Sequence, residues 1–556
     1  MKKVLVFAPP PTANGDLHVG HLAGPYLRAD IYARHSRMLG NETYYVCGVD
    51  EHQSYVAFKG RQIGLDPQET ADKFAAEIEQ TLAAAHMQID LMVRPTRLPH
   101  YKTFMEKVFQ QLQRDGKIVE REEPCLFCDA CQMYLFGAYV RGICPHCDAP
   151  SGGNSCEACG RPHEACELRH PACNICGAKP GVDKLTRFFM PLSPYEKQLR
   201  EYFDTAIMSS SIRALGEQML KDGLPEIAVT HPANWGLSAP GLTGQKIWVW
   251  FEIALWHFAA TQALAETIHE PGGCERFWKG TDVEIVQFFG FDNTFFYSLF
   301  FSAVFQAMDP QICLPQVLLA NEFYRLENLK FSTSRNHAIW GRELLRDQNV
   351  DLVRFYLAYS GPETEQTSFV FAEYEQTVKK ELLEGVQGWL LHLGSAVSDE
   401  YSGIAPSPGV WTETTHSFYD RLNEILRKAE ASYSAKEFST QRAARLLLEL
   451  AREARFFSHS ESHWRRVSDR RLTRNTVIAL ELLAAKTLAL LAAPIMPGFS
   501  ACLWHDLGQT QSLQALSWPH DLEWIRPGTL ISNLNRNYFE LYEDVKSLSR
   551  PVAAHT

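Results

Sequence analysis

Four Cys-x-x-Cys pairs carry the clearest chemistry in the chain. Cys144, Cys147, Cys156 and Cys159 form two such pairs eight residues apart, and Cys128, Cys131, Cys173 and Cys176 form a second set enclosing the first. Paired knuckles of this spacing supply four thiolates to tetrahedral zinc, and four protein ligands leave no open position, so one or two structural Zn2+ sites are expected. Cys125 and Cys166 are left over as free thiols or alternative ligands. The redox alternative asks for a C-x-x-C pair opening a helix in a thioredoxin-like βαβ unit, and the segment reads as no such unit. A second cluster is the run Pro11-Thr12-Ala13-Asn14-Gly15-Asp16-Leu17-His18-Val19-Gly20-His21. It is placed between a strand and a helix, where backbone N–H groups and two imidazoles favour a polyanion, and a phosphate chain is the natural guest. Gly20 lets a base or ribose approach the backbone, while His18 and His21 can donate to phosphate oxygens as charge develops.

The elements that must hold these groups follow from the pattern. Residues 2–8 are nearly all apolar, as in a strand buried on both faces. After the turn at 9–15, residues 17–39 fit one long helix, and 43–49 a second buried strand ending at Asp50. This is the opening of a doubly wound α/β fold. Residues 67–120 look helical, the Cys-rich stretch 121–185 reads as an insertion, and strand-like runs resume at 246–251 and 284–289. From 346 onward helical periodicity dominates, at 373–398, 418–432, 441–457 and 476–492. The expected division is 1–120, first half of a Rossmann-type catalytic domain; 121–185, the zinc knuckles; 186–320, the rest of the connective region and second half of the catalytic domain; 321–345, a Lys- and Ser-rich loop region; and 346–556, a helical bundle.

A chain of 556 residues with 46% hydrophobic and 21% charged residues buries real cores and is not disordered. Its net charge of −11 excludes a protein that coats nucleic acid by overall charge. Contact with nucleic acid must be local, and residues 421–474 offer it, with 13 Lys and Arg against seven Asp and Glu. The most apolar C-terminal stretch, 476–497, is broken by Glu481 and Lys486 and reads as a buried helix rather than a membrane span. The N-terminal run is too short for a signal peptide, so a cytoplasmic protein without membrane contact is expected. The chain ends soon after the helical module, which favours a monomer.

Two distant segments together resemble a class I aminoacyl-tRNA synthetase. The His18–His21 turn resembles the first phosphate-binding loop of that class, and Lys330-Phe331-Ser332-Thr333-Ser334 resembles its KMSKS loop. The order of parts, the Cys pattern and the helical tail resemble the methionyl-tRNA synthetases over nearly the whole chain. The resemblance implies activation of an amino acid with ATP and Mg2+ to an aminoacyl-adenylate, then transfer to tRNA. It assigns His18, His21 and Lys330 to catalysis. ATP contacts fall on Thr12, Asn14, Gly15, His18, Gly20, His21, Lys330, Ser332 and Ser334. Asp50 resembles the aspartate that binds the substrate ammonium group, and Asp292 an acidic residue near ribose and substrate. Pro10, Thr12, Trp250, Ile253, Ala254, His257 and Tyr297 complete the amino-acid pocket. Trp464, with Arg465 and Arg466, resembles the place of a tryptophan that stacks on an anticodon base.

The chain departs from the family pattern at several of these positions. Thr333 replaces the second lysine of the loop. The Asp-Ala-Pro that follows Trp250 and Phe251 in the family reads Glu252-Ile253-Ala254, the tyrosine after it is His257, a turn tyrosine is Thr12, and a histidine is Tyr297. Residues 388–402 contain no arginine for anticodon reading. Apolar pockets discriminate by only about 1–3 kcal/mol per methylene, so changes of this size can redirect specificity. Three functions therefore stand at this point: methionine ligation; a paralogue using a different amino acid or a non-translational acceptor; and a silent RNA-binding or scaffold protein.

Overall fold

The structure is a computed structural model and describes residues 2–329, 339–466, 470–511, 518–519 and 521–541. Its central sheet contains six parallel strands: β1 (Lys3–Phe7), β2 (Glu42–Gly48), β3 (Leu91–Val93), β4 (Ile207–Met208), β5 (Val283–Gly290) and β6 (Val317–Asn321), in the order β4-β6-β5-β1-β2-β3. From β1 the chain steps outward to β2 and β3 on one side, and from β5 to β6 on the other, where β4 adds the edge. The boundary between β1 and β5 is therefore the topological switch point, where parallel sheets open a crevice at their carboxyl ends.

Alternation sorts the strand side chains into two cores. Val4 and Val6 face Tyr26, Ala29 and the long helix Leu27–Met38, in a core continuous with the C-terminal bundle. Leu5 and Phe7 face the opposite layer, with the helices Tyr101–Arg114, Val249–Thr267 and Phe301–Met308. The bundle is fastened to the sheet domain by a buried pair, Arg354 Nη2 to Asp30 Oδ2 at 2.6 Å. Arg354 also donates to the carbonyls of Ala85, Pro494 and Ile495, so its charge is fully partnered. Helix Arg471–Ala492 is long and apolar enough to cross a membrane, but its apolar residues are packed inside this bundle.

Several local expectations are corrected. The helix expected over 17–39 is broken: a short turn Val19–His21 leads into a π-type segment Leu22–Tyr26, with Gly24 at ψ −122°, before Leu27–Met38 begins. Pro25 causes this, since it lacks an N–H and disfavours helical backbone in the residue before it. Residues 246–251 do not add a strand to the central sheet: Gln245–Ile247 pairs with Thr230–Pro232 in a separate two-stranded sheet, and a helix starts at Val249. That helix has almost no polar face, so its apolar run imitates a buried strand. Leu91–Val93, within the stretch read as helical, is the edge strand β3, and Thr367–Phe369, in the part where helical periodicity dominates, is a short strand paired with Tyr324–Leu326.

The Cys-rich insertion is bracketed by the antiparallel strands Val119–Cys128 and Gly181–Pro191, which bring its two ends together. Leu126, Leu135, Val140 and Leu168 give it a small core of its own.

Candidate active site and metal centres

The catalytic candidates gather at the switch point. Backbone pairing places the His turn beside Asp50: Asp50 N–H donates to the Pro11 carbonyl at 2.9 Å, and Ala13 N–H to the Asp50 carbonyl at 3.0 Å. The Thr12 hydroxyl donates to Asp50 Oδ2 at 3.4 Å, and Gln53 Nε2 reaches the same oxygen at 3.4 Å. Pro10 is buried beneath this crossing, and Asn14 N–H closes the turn on the Thr12 carbonyl at 2.8 Å. Gly15 lies under the Trp340 ring.

The two histidines are fixed by backbone groups. Gly20 N–H donates to His18 Nδ1 at 3.1 Å, and His18 N–H donates to His21 Nδ1 at 3.3 Å. Each Nδ1 therefore acts as an acceptor, which puts the proton on Nε2 in the neutral ring. The rings stack at 3.8 Å and 19°. His21 is open to solvent at the rim, yet the surrounding walls of the cleft crowd out enough water to push its pKa down to about 4. Desolvation, and then the neighbouring His21, also hold His18 well below its ordinary value. At neutral pH the pair is thus two uncharged N–H donors side by side.

Lys330, Ser332, Thr333, Ser334 and Arg335 lie outside the described residues. The chain on either side of them is held at the site. Residues 339–341 pair with 17–19, through Val19 N–H to the Ile339 carbonyl at 3.1 Å and Gly341 N–H to the Leu17 carbonyl at 2.7 Å. On the other side, Leu326 and Leu329 bond to each other and Glu327 Oε1 accepts from Phe371 N–H at 3.0 Å. Two stretches some 320 residues apart in sequence thereby share one ladder.

Asp50 is 5% exposed, and burial, reinforced by the nearby Glu252 carboxylate, raises its pKa to about 7 against the opposing pull of His52, Thr12 and Gln53. Sequence reading missed this environment. Glu252, 200 residues beyond His52, accepts from Tyr101 Oη at 2.9 Å and pairs with His52 Nδ1 at 2.7 Å. Desolvation pulls His52 down, but Glu252, Asp50 and Glu51 outweigh it and hold its pKa above the ordinary value. Glu51 is itself anchored by Arg94 at 2.6 and 2.9 Å and by Thr96. Asp292 follows β5 directly across the switch point, and Gly290 makes room for it: a Cβ there would come within 2.6 Å of Asp292 Oδ1.

The remaining pocket candidates lie on helix Val249–Thr267 and the segment after β5. Trp250 stacks on Phe296 at 3.9 Å and 5°. Ile253, Ala254, His257 and Tyr297 are all buried. Tyr297 stacks on Phe289 at 4.4 Å, and the His257 ring is enclosed by Phe7, Trp256, Phe301 and Tyr297.

Trp464 lies far along the chain, in the turn after helix Thr440–Ser460. Its indole N–H donates to Glu461 Oε2 at 2.6 Å and Arg470 covers the ring at 4.9 Å. The side chains of Arg465 and Arg466 lie outside the described residues.

The eight knuckle cysteines form two compact groups, with the sulfurs of each set within 4.8 Å of one another. Opposed pairs lie at 3.5 and 3.9 Å in the outer group and 3.9 and 3.6 Å in the inner one. Thiolates held tetrahedrally at about 2.3 Å from zinc lie about 3.8 Å apart, so both donor sets fit the ion in identity and spacing. Cys125 and Cys166 belong to neither group. The knuckles bear on the active site: Ala138 N–H donates to Ser54 Oγ at 3.1 Å, four residues beyond Asp50, and Tyr139 packs edge-on to Phe58. Gly137 (φ +50°) permits this contact, since a Cβ would come within 2.3 Å of Ser54 Oγ. Elemental analysis is expected to find two zinc ions per chain, and Cys144→Ser to remove one of them while lowering the melting temperature; zinc-free protein of unchanged stability would contradict both sites.

The family model described as tRNA synthetases class I (M) matches residues 4–391. The chain is similar to the methionine–tRNA ligase of Pyrobaculum islandicum, 30% identical over 542 residues, covering 96% of this chain and 94% of that one. It is 29% identical to the methionine–tRNA ligase of Chlamydia abortus, covering 100% of this chain and 99% of that one. In fold it is similar to Mycobacterium tuberculosis methionyl-tRNA synthetase bound by methionyl-adenylate, with a TM-score of 0.80, 16% identity, and coverage of 97% and 100%.

Proposed function

We propose, for a chain that belongs to the class I tRNA synthetases of the methionyl type, that it activates methionine with ATP and transfers the aminoacyl group to tRNA. The observation that carries this reading is the shared ladder of residues 17–19 and 339–341 beside Asp50 at the switch point. In the first step a carboxylate oxygen of the amino acid attacks the α-phosphorus of ATP, the bond to the β-phosphate oxygen breaks, and pyrophosphate leaves. In the second a hydroxyl at the tRNA 3′ end attacks the activated carbonyl and AMP leaves.

Each residue has a place in that sequence. Asp50, ionised, holds the substrate ammonium group, and Thr12 and Gln53 orient its carboxylate. His18 and His21 donate Nε2–H to phosphate oxygens without having to gain a proton. Their worth rises as the α-phosphate takes on charge in the transition state, which is how fixed donors accelerate phosphoryl chemistry. Asn14, Gly15 and Gly20 offer backbone along the nucleotide, and Asp292 approaches ribose from β5. Lys330, Ser332 and Ser334 act on the triphosphate from the other flank. Pro10, Trp250, Ile253, Ala254, His257 and Tyr297 surround the amino-acid side chain. Trp464, Arg465 and Arg466 meet the tRNA in the basic module. Magnesium accompanies ATP as its counter-ion, and zinc in the knuckles supports the helix that follows Asp50. The protein acts in the cytoplasm as a monomer.

Amino-acid-dependent ATP–pyrophosphate exchange followed by tRNA charging tests this. Exchange with methionine and aminoacylation of tRNA-Met are expected; silence in both would contradict the reading.

A further inference from the structure

Three polar side chains lie buried on one face of the sheet, each with an atom that finds no hydrogen-bond partner among the described residues. They are Gln287, with both Oε1 and Nε2 unpaired, His257 at Nε2 and Tyr297 at Oη. Gln287 is 0% exposed, His257 0% and Tyr297 1%. Their placement follows from register. Gln287 on β5 pairs with Phe7 on β1, so the two side chains share a face. The Phe7 ring meets the His257 ring at 4.8 Å, Phe289, two residues along from Gln287, stacks on Tyr297 at 4.4 Å, and the rings of His257 and Tyr297 lie 5.9 Å apart.

The hydrogen-bonding sense of His257 is fixed. Its Nδ1 lies 2.8 Å from the Ile253 carbonyl, which can only accept, so Nδ1 carries the proton and Nε2 presents a lone pair. Burial pushes the ring pKa down to about 4, which keeps it neutral at physiological pH. The three residues therefore offer one pure acceptor, one hydroxyl, and one amide that both donates and accepts. A thioether is a weak acceptor with no donor and leaves the His257 lone pair unanswered. Water can serve these groups in the free protein, but a side chain that displaces it must replace its bonds or leave buried polar atoms unpaired.

We propose that this pocket also accepts, for adenylation, an uncharged amino acid of methionine's length whose side chain ends in a primary amide. The amide N–H₂ meets His257 Nε2, and its carbonyl oxygen accepts from Tyr297 or Gln287. A charged side chain is unsuited, since none of the three supplies an opposite charge. This inference rests on the activation reading above and adds a second substrate class to it.

The test is pyrophosphate exchange with methionine, norleucine and glutamine on the full-length protein and on His257→Phe. Glutamine is expected to support exchange with kcat/KM within about tenfold of methionine, and His257→Phe to lower the glutamine-to-methionine ratio by about 10²-fold. Norleucine, of similar length and wholly apolar, is expected to fall below both. Zinc content and melting temperature report whether the variant folds; if it does not, Gln287→Leu is read by the same ratio. Exchange with methionine but none with glutamine overturns the inference and leaves the activation reading standing. A ratio unmoved by the substitution also overturns it. No exchange with any of the three overturns the activation reading itself.

Discussion

Asp50→Asn is expected to lower kcat/KM for methionine-dependent pyrophosphate exchange by about 10³-fold. The substitution removes the charge from the buried carboxylate proposed to meet the substrate ammonium group, and breaking one side of a buried ion pair typically costs about 3–5 kcal/mol. The pH profile identifies the group. In the free protein the Asp50 pKa is raised to about 7. The ammonium group binds the ionised form, so binding releases a proton, and affinity falls as the pH drops below about 7. The apparent KM for methionine is expected to rise roughly tenfold per pH unit there and to level off above it. In Asp50→Asn that dependence disappears. A wild-type KM independent of pH between 5.5 and 7.5 would contradict the assigned role.

His21→Ala is expected to lower the exchange rate by about 10²–10³-fold, the usual cost of one preorganised transition-state donor. Because His21 already donates as a neutral ring, with a pKa near 4, the loss is uniform across pH 6–8. The two substitutions are thus separable: one removes a pH dependence and the other removes rate at every pH. Zinc content is expected to stay intact in His21→Ala, since none of the knuckle sulfurs lies in its turn. Stopped-flow single turnovers give the rate of the chemical step, and a rate equal to wild type would refute the assignment.

Local grammar made some of this chemistry legible in the sequence. Cys144–Cys147 and Cys156–Cys159 each lie within one turn of chain, so their spacing nearly dictates the sulfur geometry. His18 and His21 stand just after an unmistakable buried strand, and Asp50 just after another, and strand ends are where parallel sheets place their sites. The groups that tune these residues were not legible. Glu252 reaches His52 and Tyr101 only because helix Val249–Thr267 packs across the sheet, and nothing local to Glu252 signals it. Gln287 reads as one polar residue in an apolar strand until register sets it beside Phe7. The misread elements have similar causes: β3 is three residues long, and the break at Gly24 and Pro25 interrupts a periodicity that continues on both sides. The departures from the family pattern at His257 and Tyr297 were visible, but their hydrogen-bonding sense depends on the Ile253 carbonyl and on burial, which only the fold supplies.

The central claim is that the His18–His21 turn and the chain around Lys330 act on one nucleotide bound at the β1–β5 boundary. A crystal structure with methionine and a non-hydrolysable ATP analogue tests it most directly. Triphosphate oxygens within hydrogen-bonding distance of Nε2 of His18 or His21, with the amino group on Asp50, is the predicted result. A nucleotide bound elsewhere on the protein, with that turn empty, would contradict it.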